Sequence, residues 1–104
     1  MDIEPVVSAY EVCAVPPDEA GNYLSWMVTV ERTHHSGKWA VRRGKRCYDA
    51  DGDWDWEPQP SSRTEEWLAA YRFDLDTALR IAKQVALTIK VNGYTVADAL
   101  KWSD

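Results

Sequence analysis

The spacing of apolar residues changes once along this chain of 104 residues, and that change constrains the fold more than any other feature. Up to about residue 57 apolar residues tend to recur at every second position, as on strands with one buried face. From Leu75 they recur in steps of three and four, as on a helix. Strands followed by helices predict an α+β domain: an antiparallel meander of about four strands, packed on one face by a C-terminal helix, with short helices besides. The length suits one hydrophobic core, so residues 1–104 read as a single domain.

Residues 6–15 suit a first strand and Pro16–Asn22 a surface loop. Residues 23–33 alternate most clearly, with Leu24, Trp26, Val28 and Val30 on one side. His34-His35-Ser36-Gly37 reads as a turn, and Lys38 to Arg42 returns as a strand with Trp39 and Val41 on one side. Gly44 fits either a bulge in a long strand or a tight turn. Asp51-Gly52 is a type I′ turn dipeptide, which would set Asp49 opposite Trp54 and Cys47 opposite Trp56. Cys47, Trp54 and Trp56 would then share a face, and a strand uninterrupted at Gly44 would put Trp39 and Val41 there too. Arg46, Tyr48, Asp53, Asp55 and Glu57 would occupy the other.

Pro58-Gln59-Pro60 ends the sheet. Ser62-Arg63-Thr64-Glu65 has capping-box spacing and predicts a helix over 63–72, with a strand over 68–73 as the alternative. Asp74 caps a main helix over 75–91. Its apolar stripe is Leu75, Leu79, Ala82, Ala86 and Ile89, widened by Ala78, Ile81 and Val85. Asn92-Gly93 stops it. Thr95 and Asp98 begin a last short helix with Leu100 and Trp102 as its anchors.

The net charge of −5 conceals two opposed blocks. Arg32, Lys38, Arg42, Arg43, Lys45 and Arg46 lie in a stretch without acids; Asp49, Asp51, Asp53, Asp55 and Glu57 lie in one without bases. The plainest account pairs the blocks across the hairpin, for example Arg46 with Glu57, to set register. The alternative is nucleic-acid binding through residues 32–46, which the acidic neighbouring strand opposes. The chain carries six tryptophans. One sheet face and one helix accommodate about three or four of them, and any others fall at the rim, where tryptophan anchors interfaces.

The chemistry-bearing motifs are thin. Asp49-Ala50-Asp51-Gly52-Asp53 begins like a calcium loop, but Trp54 and Pro60 stand where such a loop needs glycine and glutamate. His34 and His35 are adjacent, and no third ligand has metal-site spacing. Cys13 and Cys47 could meet across the sheet, but read first as small buried thiols in a reducing compartment. No nucleophile elbow, phosphate loop or dinucleotide fingerprint is present, so no cofactor or metal is expected. An enzyme would need a pocket uniting two or more of Tyr10, Glu11, His34, His35 and Asp49. No apolar run reaches the ~20 residues of a membrane span, and the first residues lack a signal-peptide pattern. The expectation is a soluble cytoplasmic protein.

The run Trp54-Asp55-Trp56-Glu57-Pro58-Gln59-Pro60-Ser61-Ser62-Arg63, with Arg72–Leu79 and Val91–Val96, resembles small uncharacterised proteins of actinobacterial phages and their hosts. Abundant Ala, Val and Asp beside scarce Ile, Asn and Phe agree with a GC-rich source. The resemblance implies an accessory role exercised by binding a host or phage protein, and brings no site residues with it. The expected function is a non-enzymatic protein-interaction module with an unidentified protein partner; self-association into a homo-oligomer stays open. Its candidate surface comprises Trp39, Arg42, Arg43, Lys45, Arg46, Asp49, Asp53, Trp54, Asp55 and Trp56.

Overall fold

Five strands pair in chain order into one antiparallel sheet: β1 (Ala9–Val12), β2 (Val28–Arg32), β3 (Trp39–Arg43), β4 (Arg46–Tyr48) and β5 (Trp54–Trp56). Three helices follow, α1 (Glu65–Tyr71), α2 (Leu75–Thr88) and α3 (Val96–Lys101), completing the α+β fold. The computed structural model describes residues 3, 5–15, 22–35 and 37–101, without the side chains of Asn22 and Tyr23. Most of the expected 16–22 loop and the expected anchor Trp102 lie outside the described residues.

The sheet has five strands rather than about four because Gly44 marks a turn. Arg43 pairs with Arg46, leaving Gly44-Lys45 as a two-residue loop in which Gly44 has φ +62° and Lys45 does not adopt positive φ. That is the pattern of a type II′ hairpin. No atom lies within 4 Å of a Cβ added there. Gly44→Ala is therefore expected to cost about 1–2 kcal/mol in chemical denaturation from backbone strain alone, and Gly44→Asn less.

The strand expected over 23–33 begins only at Val28. Asn22–Trp26 is a 3-10 turn, and Leu24 is exposed while Trp26 remains buried. The ladder explains the change. β1 ends at Val12 opposite Val28, and β3 closes into the Gly44 turn, so residues before Val28 have no strand to pair with. Their backbone groups must be satisfied locally.

A second correction concerns the β4–β5 hairpin. Tyr48 faces Trp54, Cys47 faces Asp55 and Arg46 faces Trp56, one residue away from the expected register. The Gly52 N–H donates to Asp49 O at 3.0 Å, and Gly52 has φ +82°, so Ala50-Asp51-Gly52 is a three-residue loop ending in a left-handed glycine. One Asp49 carboxylate oxygen also accepts from the Asp51 and Asp53 N–H groups, which holds this wider turn. Every side chain of one strand changes face relative to the other. Trp54 and Trp56 share their face with Arg46 and Tyr48, while Cys47 lies with Asp55 and Glu57.

α2 packs against β1, β2 and β3. Its buried residues Ala78, Ile81, Ala82, Val85 and Ala86, with Ile89 beyond its end, join Val28, Val30, Val41 and Tyr48 in the core, as the helical stripe predicts. The helix ends at Thr88, before 91. Asn92 and Gly93 both have positive φ between the mutually hydrogen-bonded Val91 and Tyr94, making a type I′ turn rather than a simple stop. α1 starts later than expected: Pro60–Ser62 is a 3-10 turn, and Thr64 rather than Ser62 caps the helix through the Trp67 N–H. Of the alternative strand over 68–73, only an isolated bridge between Phe73 and Trp39 occurs. In α3, Val96 and Ala99 are buried, and Leu100 is exposed rather than an anchor.

The sheet is covered beyond the single face expected. Ala40 and Cys47 are fully buried although alternation places them away from α2. On their side Glu57, Arg63 and Arg72 come together with Arg42 of β3.

Candidate functional site

β5 forms one edge of the sheet, and only β4 pairs with it. The Asp49 N–H donates to Asp53 O and the Glu57 N–H to Lys45 O, so residues 53, 55 and 57 turn their backbone groups toward β4. By the alternation of an antiparallel ladder, Trp54 and Trp56 turn theirs outward. The Trp56 N–H meets the Asp55 carboxylate at 2.7 Å. This edge offers a ladder that another extended chain could continue.

Its side chains are organised too. Trp54 and Trp56 are 46% and 58% exposed, large for residues next to a core containing Tyr48. Their rings meet edge-on at 5.3 Å between centroids. Arg46 lies over both, 4.2 Å from the Trp54 centroid and 5.8 Å from that of Trp56. Arg46 and Trp56 form a pair without mutual backbone hydrogen bonds, which brings their side chains close and suits this cation–π contact. Such packing restricts two large rings and an arginine before any partner arrives, lowering the ordering cost of binding.

On the opposite face of the same hairpin and in its turn stand acids without ion pairs among the described residues: Asp49, Asp53 and Asp55 on that face and Asp51 in the turn. Single oxygens of Asp49, Asp51 and Asp53 approach within 4.8 Å of one another. Asp49 is partly engaged in holding the turn.

The remaining expected surface residues disperse. Trp39 is only 5% exposed and belongs to the core beside Tyr10, so its ring is not available to a partner. Arg43 donates to Ser25 O at 2.8 Å, and Lys45 is exposed in the Gly44 turn. Arg46 does not pair with Glu57. Arg42 does, at 2.6 Å, and also pairs with Glu31 at 2.7 Å. Arg42 and Arg46 thus lie on opposite faces of the sheet, and the basic segment presents no continuous stripe.

Arg63 and Arg72 carry no sequence motif that marks them as functional candidates. Glu57 collects Arg42 and Arg72 on one carboxylate oxygen at 2.6 Å each, with Arg63 3.8 Å from the other. Sequence separation hid the cluster: its members come from β3, the segment after β5 and both flanks of α1. Next to it opens a pocket of about 480 Å³ lined by Arg32, Arg42, Arg63 and Arg72, by Thr33, His34 and His35, and by Pro60 and Leu68. His34 and His35 both line it, so the pocket unites two of the five residues whose convergence would favour an enzyme; Tyr10, Glu11 and Asp49 do not line it.

Cys13 and Cys47 form no disulfide, and burial pushes the Cys47 thiol up to about 11, away from reactive thiolate. No described helix is long and apolar enough to cross a membrane. Comparison with protein-family models, curated proteins and solved structures returns no match.

Proposed function

We propose that this chain is a non-enzymatic protein-interaction domain that receives an extended, basic segment of a partner along the outer edge of β5. The observation that carries this reading is the pair of exposed tryptophans held by Arg46 on an edge strand. Main-chain hydrogen bonds from the outward-facing groups of Trp54 and Trp56 would supply affinity, the Trp56 N–H exchanging the Asp55 carboxylate for a partner carbonyl, and alternate side chains of the segment would rest on the rings. Asp49, Asp51, Asp53 and Asp55 favour lysine and arginine in the partner and raise its encounter rate. The same acids disfavour a second copy of this chain at the edge, since each copy would bring four more carboxylates. The resemblance to small phage-encoded proteins suggests a partner in a bacterial cytoplasm.

The test is a selection of random peptides displayed against the immobilised protein. Enriched peptides are expected to be basic with alternating apolar residues. Their binding should weaken by about thirtyfold in Trp56→Ala, a loss typical of an interface anchor. Folding stability should change by less than about 1 kcal/mol in that variant, because the ring is exposed. Enrichment of acidic peptides, or equal binding to Trp56→Ala, would reject the reading.

A further inference from the structure

The sheet has a second edge, and its chemistry is the reverse of that at β5. Among the described residues only β2 pairs with β1. The Arg32 N–H donates to Ser8 O at 2.8 Å, so residues 8, 10 and 12 turn their backbone groups toward β2. By alternation Val7, Ala9 and Glu11 turn theirs outward. Natural sheet edges are blunted by lysine, proline or a bulge. Residues 6–12 contain no lysine or proline, Glu11 carries their one charge, and the pairing of β1 with β2 runs without a bulge. Just ahead of β1, Val6 and Val7 are 68% and 50% exposed. An apolar strand with an open ladder invites another apolar strand.

We infer that β1 pairs antiparallel with β1 of a second copy of this chain about a twofold axis at Ala9, joining two five-stranded sheets into one. The register follows from what faces outward, because hydrogen-bonded pairs must join outward residues of both copies. With Ala9 opposite Ala9 of the second copy, Val7 meets Glu11 and Glu11 meets Val7, so all three outward residues are used. A slip of two residues one way brings Pro5, which has no N–H, into the ladder. A slip the other way carries Val7 past the end of β1 at Val12. Charge selects the same register. The two Glu11 residues then lie four positions apart along the ladder, about 13 Å, beyond the Debye length of about 8 Å at physiological ionic strength.

The side chains are complementary to themselves in this register. Tyr10 and Val12 pack against the core on the face that α2 covers, and alternation puts Val6 and Ser8 there too. Val6 then meets the half-buried Val12 of the second copy, and Ser8 meets Tyr10. These are the pairs without mutual hydrogen bonds, whose side chains approach most closely. On the other face two alanines meet at the axis, and each Val7 lies against the methylene stem of a Glu11. The acids of β5 stand at the far edge of each sheet, four strands from the axis and roughly 19 Å away, so they do not oppose this contact.

Sedimentation equilibrium of the full chain over about 5–500 µM tests the inference. A monomer–dimer equilibrium is expected, with a Kd of about 50 µM or tighter. Val7→Glu sets two glutamates opposite the two Glu11 side chains and should weaken the dimer by about tenfold or more. Val7→Lys sets two lysines there instead and should stay within about threefold of wild type. Adding Glu11→Lys to Val7→Glu restores opposite charges across the axis and should return affinity to within about threefold of wild type. Trp56→Glu adds the same negative charge at the β5 edge and should change association by less than about twofold. A monomer at every concentration overturns the inference. Equal loss in Val7→Glu and Val7→Lys does so too, as does failure of the double variant to recover, or a loss in Trp56→Glu that matches that in Val7→Glu.

Discussion

Glu57→Gln is expected to lower the unfolding free energy by about 3 kcal/mol, the cost of stranding a buried charge whose partner has gone. The amide keeps the shape of the side chain but removes the charge that Arg42 and Arg72 share, and Arg72 has almost no access to water. For a domain of this size the melting temperature should fall by roughly 10–20 °C. The pH dependence gives a second readout. Burial alone would raise the Glu57 pKa, but the hydrogen bonds and charges of Arg42 and Arg72 outweigh it and hold the carboxyl below its ordinary value. A depressed carboxyl contributes stability that is fully present above its unfolded pKa of about 4.3 and is lost as pH falls through the folded value. The wild-type protein should therefore lose stability steeply below about pH 5, and Glu57→Gln should show a shallower acid limb. Parallel acid limbs in denaturant melts of the two proteins would show that Glu57 is not held by its arginines.

Trp39→Ala is expected to destabilise by about 3–5 kcal/mol, through lost burial and the cavity left behind. The ring is 5% exposed, rests 5.8 Å from Tyr10 and carries Arg32 over its face. Its backbone exchanges both hydrogen bonds with Phe73, at 2.7 and 2.9 Å, tying the segment ahead of α2 to β3. Urea denaturation followed by circular dichroism measures the effect without relying on the deleted fluorophore. A loss below about 1 kcal/mol would move Trp39 out of the core and back to the surface that sequence reasoning gave it.

Trp39, Trp54 and Trp56 show what periodicity could and could not disclose. All three lie on one sheet face, but only because the break at Gly44 and the one-residue shift of the β4–β5 register offset each other, whereas the apolar stripe of α2 is evident from Ala78, Ile81, Ala82, Val85 and Ala86. Which rings the helix covers depends on where it lies across the sheet. α2 crosses β1, β2 and β3, so Trp39 is enclosed and the rings of β5 are left at the rim. That placement is a tertiary fact with no local signal.

Turn chemistry misled in one place and was underread in another. Asp51-Gly52 has the dipeptide of a two-residue type I′ hairpin, yet the Asp49 carboxylate captures the Asp51 and Asp53 N–H groups and favours the three-residue loop. Asn92-Gly93, read only as a helix stop, adopts that two-residue turn. The arginine cluster escaped for another reason. Arg63 and Arg72 sit nine residues apart around a short helix, and only folding of the 57–73 segment over β3 and β4 brings them to Glu57 and Arg42. Arg72 has no apolar spacing to mark it as buried.

The most direct test of the β5 edge as a docking ladder is amide hydrogen exchange at Trp54 and Trp56, measured by NMR with and without a saturating basic peptide from the display selection. The account predicts that the Trp54 amide slows by about tenfold or more in the complex as it enters a new strand pair, and that the Trp56 amide, already bonded to the Asp55 carboxylate, slows by less. Unchanged exchange at both positions, with protection appearing instead on another element, would contradict it.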